Sequence, residues 1–427
     1  MYGLVDGNNF YVSCHRAFRP DLEGVPVIVL SNRDGNVIAR SNEAKALGIK
    51  MGQPFFETKE LRQQHGIVVF SSNFPLYGDM SSRLMSLLTN FVPDVEVYSI
   101  DEAFLQLENF WGLYPTYQGL GQDIRTKIDQ WLRIPVGVGI APTKTLAKVA
   151  NKLAKKRSEL NGVCVLETPQ QIEDALANFP VEDLWGVGHQ SAARLKRENI
   201  RTAAQLRDTN DDWIRQIMTV NGLRLVHELR GMPCKLLEVT PPPKKSIGSE
   251  PGFGTVIPDL DTIADALTSH LTRVGMKLRR SDQLAGAVTI SLRTSKYRKT
   301  PGNGLAAKQY SNSITLNLPH PTSATPELLG YALTGLKAIY KTGYQYQKVG
   351  ILLTDLVPES YRQKGVFVEG PDERLIKLAG VVDKVNKRFG QDKLRLASQM
   401  YNPEWPYQQK YLSPHYTTRW EDILEAM

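Results

Sequence analysis

The 427-residue sequence contains no run of about 18 apolar residues, which argues against a membrane-spanning helix. Cysteine is scarce. Cys14, Cys164 and Cys234 are odd in number and form no CxxC pair, so a reduced, cytoplasmic protein with buried or idle thiols is expected. The seven histidines, His189 among them, show no metal-ligand spacing. The opening MYGLVDGNNF lacks the charged and apolar regions of a signal peptide. There is no internal repeat and no low-complexity block. What remains is an ordinary globular composition, 41% hydrophobic and 22% charged, in a chain long enough for roughly two to four domains. The net charge of +8 is modest, so its distribution matters more than its sum.

The first 165 residues read as α/β. GLVDGNNFY is a short strand running into Asp6 and then a helix; VPVIVL (25–30) is a buried strand; IARSNEAKALGI (38–49) reads as a helix ending near Gly48. VVFSSN (68–73) reads as a strand, YGDMSSRLMSLLTNF as a helix, 95–107 as a hairpin, 120–132 as a helix and PVGVGIA as a strand. Residues 166–235 are short helical patterns broken at FPVEDLWGVG and at NGLRLVHELRGMPC. TPPPKKS (240–246) reads as a linker. Beyond it, a helical pattern over 261–280 and the alternating AVTISLRTSKY and NSITLNLP predict an α+β domain, followed by a helix over 372–389 and a tail rich in Tyr, Pro and Trp.

The hairpin VEVYSIDEAFLQL raises the chemical question, because neighbours on a regular strand face opposite ways while Asp101 and Glu102 are adjacent. One reading is a solvated hairpin tip. The other adds Asp6, which ends the first strand and could otherwise simply cap the next helix. If that strand lies beside the hairpin, three carboxylates gather, repel and raise one another's pKa unless a cation neutralises them. None of these segments holds a nearby Cys or His set, so an oxygen-loving ion such as Mg²⁺ is expected over Zn²⁺; two such ions would suit in-line phosphoryl transfer. In PTKTLAKVANKLAKK, Leu146, Val149, Ala150 and Leu153 form a buried helical stripe, with Lys144, Lys148, Lys152 and Lys155 opposite. A solvated charged face accounts for the upper lysines, whereas Lys155 could reach a triphosphate.

DGNNFYVSC, VIVLSNRDGNVIARSNEAKALGIKMG, SSNFPLYGDMS, YSIDEAF and VGVGIAPTKTLAKVANKLAKK together resemble the Y-family translesion DNA polymerases, and within them the UmuC branch, over nearly the whole chain to the closing LSPHYTTRW. The resemblance implies an α+β, multidomain right hand: palm at 1–20 and 74–165, fingers at 21–73, a helical thumb with a helix-hairpin-helix at 166–235, a linker at 236–246, a little finger at 247–355 and a C-terminal interaction region at 356–427. It implies two Mg²⁺ ions on Asp6, Asp101 and Glu102, with the Gly7 carbonyl as a further ligand. It also implies a sugar gate at Tyr11, beside Phe10, and a phosphate-binding Lys155. Tyr11 can equally be read as a core aromatic. Where many relatives place Tyr and Arg three apart against the triphosphate, this chain has Asn42 and Lys45; lysine neutralises phosphate but lacks the bidentate fork of arginine. Gly186 and Gly188 would let backbone amides approach a DNA phosphate. In the little finger Arg273, Lys277, Arg279, Arg280, Arg293, Lys296, Arg298 and Lys299 concentrate positive charge, and such a surface, Arg293, Lys296 and Arg298 above all, would face the duplex backbone. Gln363, Val366 and Phe367 of QKGVF sit where the family carries a sliding-clamp peptide, though Lys364 and Gly365 replace expected bulk, and the assignment stays open.

The implied activity is error-prone, template-directed addition of dNTPs to a primer end opposite damaged bases, in the SOS response and DNA repair. Implied partners are primed DNA, a cleaved UmuD-type dimer, a RecA filament and the clamp, without membrane, in the cytoplasm and on the nucleoid when active. Two rivals remain. A non-catalytic DNA-binding relative would have lost the carboxylates, and a two-metal nuclease would not explain Tyr11, Lys155 and the thumb hairpin together.

Overall fold

The computed structural model describes residues 1–107, 114–295, 308–361, 372–390, 392–399 and 409–424. The chain divides into two compact units, the first formed by Met1–Pro241 together with Gln409–Met427 and the second by Pro242–Gln408. The chain thus leaves the first unit at the proline-rich linker and returns to it for its last residues.

In the first unit the order is β1 (Tyr2–Gly7), α1 (Phe10–Arg16), β2 (Val27–Leu30), β3 (Val37–Arg40), α2 (Asn42–Ala46), α3 (Lys59–His65), β4 (Val68–Phe70), α4 (Phe74–Leu88), β5 (Val95–Val97), β6 (Glu102–Gln106), α5 (Tyr117–Leu132), β7 (Val136–Ala141), α6 (Lys144–Lys156), β8 (Val163–Val165) and then four helices, α7 (Pro169–Ala177), α8 (His189–Arg197), α9 (Ala203–Arg207) and α10 (Asp211–Leu229). β5-β6-β1-β7-β8 make a five-stranded mixed sheet in which only the β7–β8 pair is parallel. β3-β2-β4 make a small separate sheet. Buried side chains of β1, β6 and β7 separate two cores. Val5, Leu105 and Val138 pack with α4 and α5 on one face; Leu4 and Phe104 pack with α6 and the later helices on the other.

Two sequence readings are corrected here. Segment 38–49 is not one helix: Val37 and Ala39 are buried while Ile38 and Arg40 are half-buried, the alternation of a strand, and Ser41 then caps the five-residue α2 by accepting the Ala44 amide at 3.2 Å. Residues 221–229 are not a break but the second half of α10, which is kinked at Thr219 (φ 61°).

The second unit holds β9 (Ile247–Ser249), β10 (Gly252–Ile257), α11 (Leu260–Arg280), β11 (Gln283–Thr294), β12 (Ser311–Thr322), α12 (Thr325–Ile339), β13 (Tyr346–Pro358) and α13 (Glu373–Phe389). Its sheet is antiparallel, β10-β13-β11-β12 with β9 also on β13, and α11 and α12 pack against it. The expected C-terminal region 356–427 does not hold together. Its beginning is the end of β13 and α13 belongs to this unit, while residues 409–424 belong to the first.

The approach of α6 to β7 fixes the first unit's geometry. A Cβ on Gly139 would lie 2.2 Å from the Asn151 amide nitrogen and 2.3 Å from the Ala147 carbonyl oxygen. Gly139→Ala should therefore destabilise the protein by about 1–3 kcal/mol through overpacking. Gly78→Ala, on the exposed face of α4 with nothing within 4 Å of the added carbon, should stabilise by about 0.5–1 kcal/mol. Urea unfolding of both variants checks the contrast.

Candidate active site

β1 lies directly between β6 and β7, and its register sets Asp6 opposite Glu102. Asp101 stays in the turn before β6, while Glu102 begins the strand. Ser99 shapes that turn. Its hydroxyl donates to Asp101 Oδ1 at 2.7 Å and accepts the amides of Asp101 (3.3 Å) and Glu102 (3.1 Å). The Gly7 amide donates to the Asp101 carbonyl at 2.9 Å, tying the turn to the end of β1. The turn departs from strand geometry, and the two adjacent carboxylates line two different cavities, Glu102 one with Asp6 and Asp101 another with Tyr11 and Lys45.

α6 supplies the counter-charges. Lys155 Nζ is 2.7 Å from Asp6 Oδ1 and Lys148 Nζ is 2.9 Å from Glu102 Oε1, seven residues and about two turns apart. The lysine face is therefore not the solvated surface that its charge suggested. Lys144 is buried at 3% exposure, bonded to Glu96 and to the Leu236 carbonyl (2.7 Å), and Lys152 and Lys156 share Asp183 at 2.7 and 3.3 Å. Asp6, Glu102, Lys148, Lys152 and Lys155 line a cleft of about 300 Å³.

Burial pushes the Asp6 carboxyl up to about 6, aided by Glu102 and Asp101 and opposed by Lys155. Burial likewise raises Asp101, with Glu102 adding repulsion and the Ser99 hydroxyl and Lys155 opposing it. Among the described residues no three acidic, histidine or cysteine side chains form a ready-made metal cage, because Asp6 and Glu102 are each turned to a lysine. The donor set is still all oxygen, partly desolvated and mutually repelling. Those features fit hard divalent cations rather than zinc.

A second cavity of about 300 Å³ lies on the other side of Asp101, with Asn9, Tyr11, Ile38, Arg40 and Lys45 in its wall. Lys45 Nζ donates to Asn9 Oδ1 (2.5 Å) and Asn42 Oδ1 (3.3 Å), and Asn9 Nδ2 donates to Asn42 Oδ1 at 3.1 Å. Burial, with Arg40 and Lys155 near by, lowers the Lys45 pKa, so three cations crowd one place. Tyr11 is half-buried; its ring stacks on Tyr77 at 4.2 Å and meets the edge of Phe74 at 6.4 Å. Phe10 is 3% exposed, packs against Gly7 and also borders this cavity.

Farther out, Gly186 adopts φ 94° and Gly188 precedes α8, whose first amides have no side-chain cap. Trp185 beside them donates to the Tyr98 hydroxyl at 3.0 Å, fastening this turn to the carboxylate hairpin. In the second unit Arg293 pairs with Glu250 and borders a cavity with Tyr310 and Lys348. Arg279 is structural, its guanidinium bidentate on Asp383 of α13 at 2.7 and 2.9 Å, and Arg273 faces Asp392 at 3.5 Å. Lys296, Arg298, Gln363, Val366 and Phe367 lie outside the described residues. Sequence reasoning missed Arg40, Ser99 and the partner of Lys148. Arg40 was hidden by reading its strand as helix.

With this geometry in place, comparison with known proteins is decisive. The impB/mucB/samB family matches residues 5–152 and its C-terminal domain matches 244–366, while a domain of unknown function matches 377–426. Protein ImpB of Salmonella typhimurium is 41% identical over 99% of both chains. Protein UmuC of Salmonella typhimurium strain LT2 is 39% identical over 100% of both. The chain belongs to the impB/mucB/samB family. It is a UmuC-like Y-family polymerase, and its fold agrees: a Y-family DNA polymerase chimera built on Dbh superposes with a TM-score of 0.68 at 20% identity, covering 84% of this chain and 99% of that one. DinB from Sulfolobus solfataricus gives 0.52 at 21% identity, with 84% and 99% covered.

In this UmuC-like chain the burial of Asp6 has a pH signature. In metal-free protein the folded state holds the Asp6 proton up to about pH 6, whereas the ordinary value is 3.8, so this group's contribution to stability falls as pH rises through that window. Asp6→Asn should be more stable than wild type at pH 8 by up to about 3 kcal/mol, and the difference should vanish near pH 4. Denaturant titrations in a chelator across this range check it.

Proposed function

We propose that the chain catalyses primer extension by nucleotidyl transfer with Asp6, Asp101 and Glu102 as metal ligands, within the palm of a right hand. Membership of the UmuC-like Y-family polymerases makes it a DNA-directed DNA polymerase of translesion synthesis, SOS mutagenesis and DNA repair. The observation that carries the site assignment is the register that faces Asp6 with Glu102 and ties Gly7 to Asp101.

Two bound Mg²⁺ ions would supply activation of the primer 3′-hydroxyl and charge neutralisation of the leaving pyrophosphate. The three carboxylates and the Gly7 carbonyl would hold them, and Lys148 and Lys155 would release Glu102 and Asp6 as cations enter. Lys155, freed from Asp6, with Lys45 and Arg40, would then bind the triphosphate of the incoming dNTP, held in place by Asn9 and Asn42. Tyr11 would lie beneath its sugar. In this reading 1–20 and 74–165 are palm, 21–73 fingers, 166–235 thumb and 247–355 little finger. The backbone amides at Gly186 and Gly188, and the side chains of Arg293, Lys296 and Arg298, would contact DNA phosphates without reading sequence. A cleaved UmuD-type dimer, a RecA filament and a sliding clamp engaged through Gln363, Val366 and Phe367 belong to the same reading, as does a cytoplasmic site of action on the nucleoid. Among the described residues no helix is long and apolar enough to cross a membrane.

Asp101→Asn and Glu102→Gln keep side-chain size and remove a charged ligand. Each should lower primer extension by at least ~10³-fold, about 4 kcal/mol of transition-state stabilisation, while binding of primed template persists. Near-normal extension by both would reject the assignment, and degradation of the primer instead of extension would favour a nuclease. Tyr11→Ala should raise ribonucleotide incorporation relative to deoxyribonucleotide roughly 10- to 1000-fold if one hydroxyl clash is relieved. Equal loss on both substrates, with a lowered melting temperature, would mark Tyr11 as a packing residue only.

A further inference from the structure

The last described residues are not a free tail. Gln409 Nε2 donates to the Ser72 carbonyl (2.8 Å) and the Lys410 amide to Asp34 Oδ2 (2.8 Å). Ser71 and Tyr411 exchange two bonds, the Ser71 amide to the Tyr411 carbonyl at 2.9 Å and the Tyr411 amide to Ser71 Oγ at 3.0 Å. Asn73 Nδ2 donates to Ser413 Oγ (2.9 Å) and the Pro414 carbonyl (3.0 Å), and His415 Nδ1 lies 3.0 Å from Asn73 Oδ1. Tyr416 is buried and stacked on Phe18 at 4.8 Å, and Tyr411 meets the edge of Phe55 at 5.7 Å. Five residues, Gln409, Tyr411, Ser413, Pro414 and His415, thus grip the three-residue junction Ser71-Ser72-Asn73, while Lys410 and Tyr416 anchor the segment to Asp34 and Phe18.

That junction joins β4 to α4, the helix whose first turns support the Tyr11 ring. On its C-terminal side Asn73 caps α4 by accepting the Leu76 amide at 3.2 Å, and the first turns of α4 carry Phe74 and Tyr77, against which Tyr11 packs. On its N-terminal side β4 ends at Phe70, whose ring stacks on His15 at 4.0 Å. His15 Nε2 and the Tyr77 hydroxyl close the circuit at 2.8 Å. Burial pushes the His15 imidazole down to about 3, so this link keeps one protonation state at physiological pH. The position of 71–73 is thus linked through Phe70, His15 and Asn73 to Tyr77, on which the Tyr11 ring rests.

We propose that Gln409–Tyr416 is an intramolecular strap that positions the Tyr11 ring through Ser71–Asn73 and so sets discrimination between deoxyribose and ribose substrates. It gives a role to the end of the segment matched only by a domain of unknown function. The proposal rests on Tyr11 as the sugar gate. Its residues are positioning residues, touching neither nucleotide nor metal ligand.

The test is the ratio of kcat/KM for a ribonucleotide to that for the matching deoxyribonucleotide, measured by single-nucleotide insertion on one primed template. A ratio is insensitive to the fraction of protein that is folded. A chain ending at Gln408, and the full-length double variant His415→Ala with Tyr416→Ala, should both raise the ratio by about 3- to 10-fold, the effect of roughly one supporting hydrogen bond lost. Tyr416→Phe, which keeps the stack on Phe18, should match wild type. A synthetic peptide of residues 409–427 added to the shortened chain should lower the ratio again. Tyr11→Ala is the control. If it raises the ratio while the shortened chain and the double variant leave it unchanged, the strap is overturned and the gate stands; if Tyr11→Ala itself leaves the ratio unchanged, the gate reading falls and the strap's route falls with it.

Discussion

The close seating of α6 on β7 is the constraint on which the first unit depends. Gly139 lacks the side chain that would collide with the helix backbone, and Asn151 stitches the contact by donating to the carbonyls of Gly137 (2.8 Å) and Leu4 (3.3 Å). Seated this low, α6 lays the stem of Lys155 against Gly137 and brings its ammonium to Asp6, with Lys148 reaching Glu102 two turns earlier. The carboxylates are set by the pairing of β1 with β6, the cations by the packing of α6. Neither arrangement would meet the other if the helix stood a side chain higher.

The same helix organises what surrounds the site. Glu228 of α10 is fully buried and accepts the Thr145 amide at the start of α6 (3.0 Å) together with the amides of Cys234 (2.7 Å) and Lys235 (3.0 Å). A carboxylate at a helix N-terminus answers both the free amides and the helix dipole. One residue earlier, Lys144 binds Glu96, which also accepts the Glu238 amide at 2.6 Å. The last helix after the sheet and the start of the linker are thus fastened to the element that carries Lys148 and Lys155. The chain then passes through the second unit, and residues 409–424 belong again to the first.

Much of this was legible in the primary structure. The strands around Asp6 and the carboxylate hairpin, the helix over 144–156 and the α+β character of the second unit follow from apolar periodicity, because period is a local property of the chain. The acidic trio and the lysine helix announce themselves by residue type and spacing. Arg40 did not, because a four-residue strand followed by a five-residue helix presents too few turns of either period to separate them. The lysine face misled for a different reason: charge on one side of a helix looks the same whether its partner is water or a buried carboxylate on another element.

By itself, then, the sequence determined most of the elements, the family and the carboxylates and lysines proposed for the site, since each of these depends on neighbours along the chain or on motifs kept in order. Tertiary structure alone decided which lysine meets which carboxylate, that Arg40 joins Lys45 and Lys155, that Arg279 anchors a helix, and that Ser71–Asn73 receives a segment some 340 residues later. Such pairings are fixed by strand register and by the closeness of one glycine-lined packing contact, and no pattern of residue types along the chain records the distance between two elements that fold together.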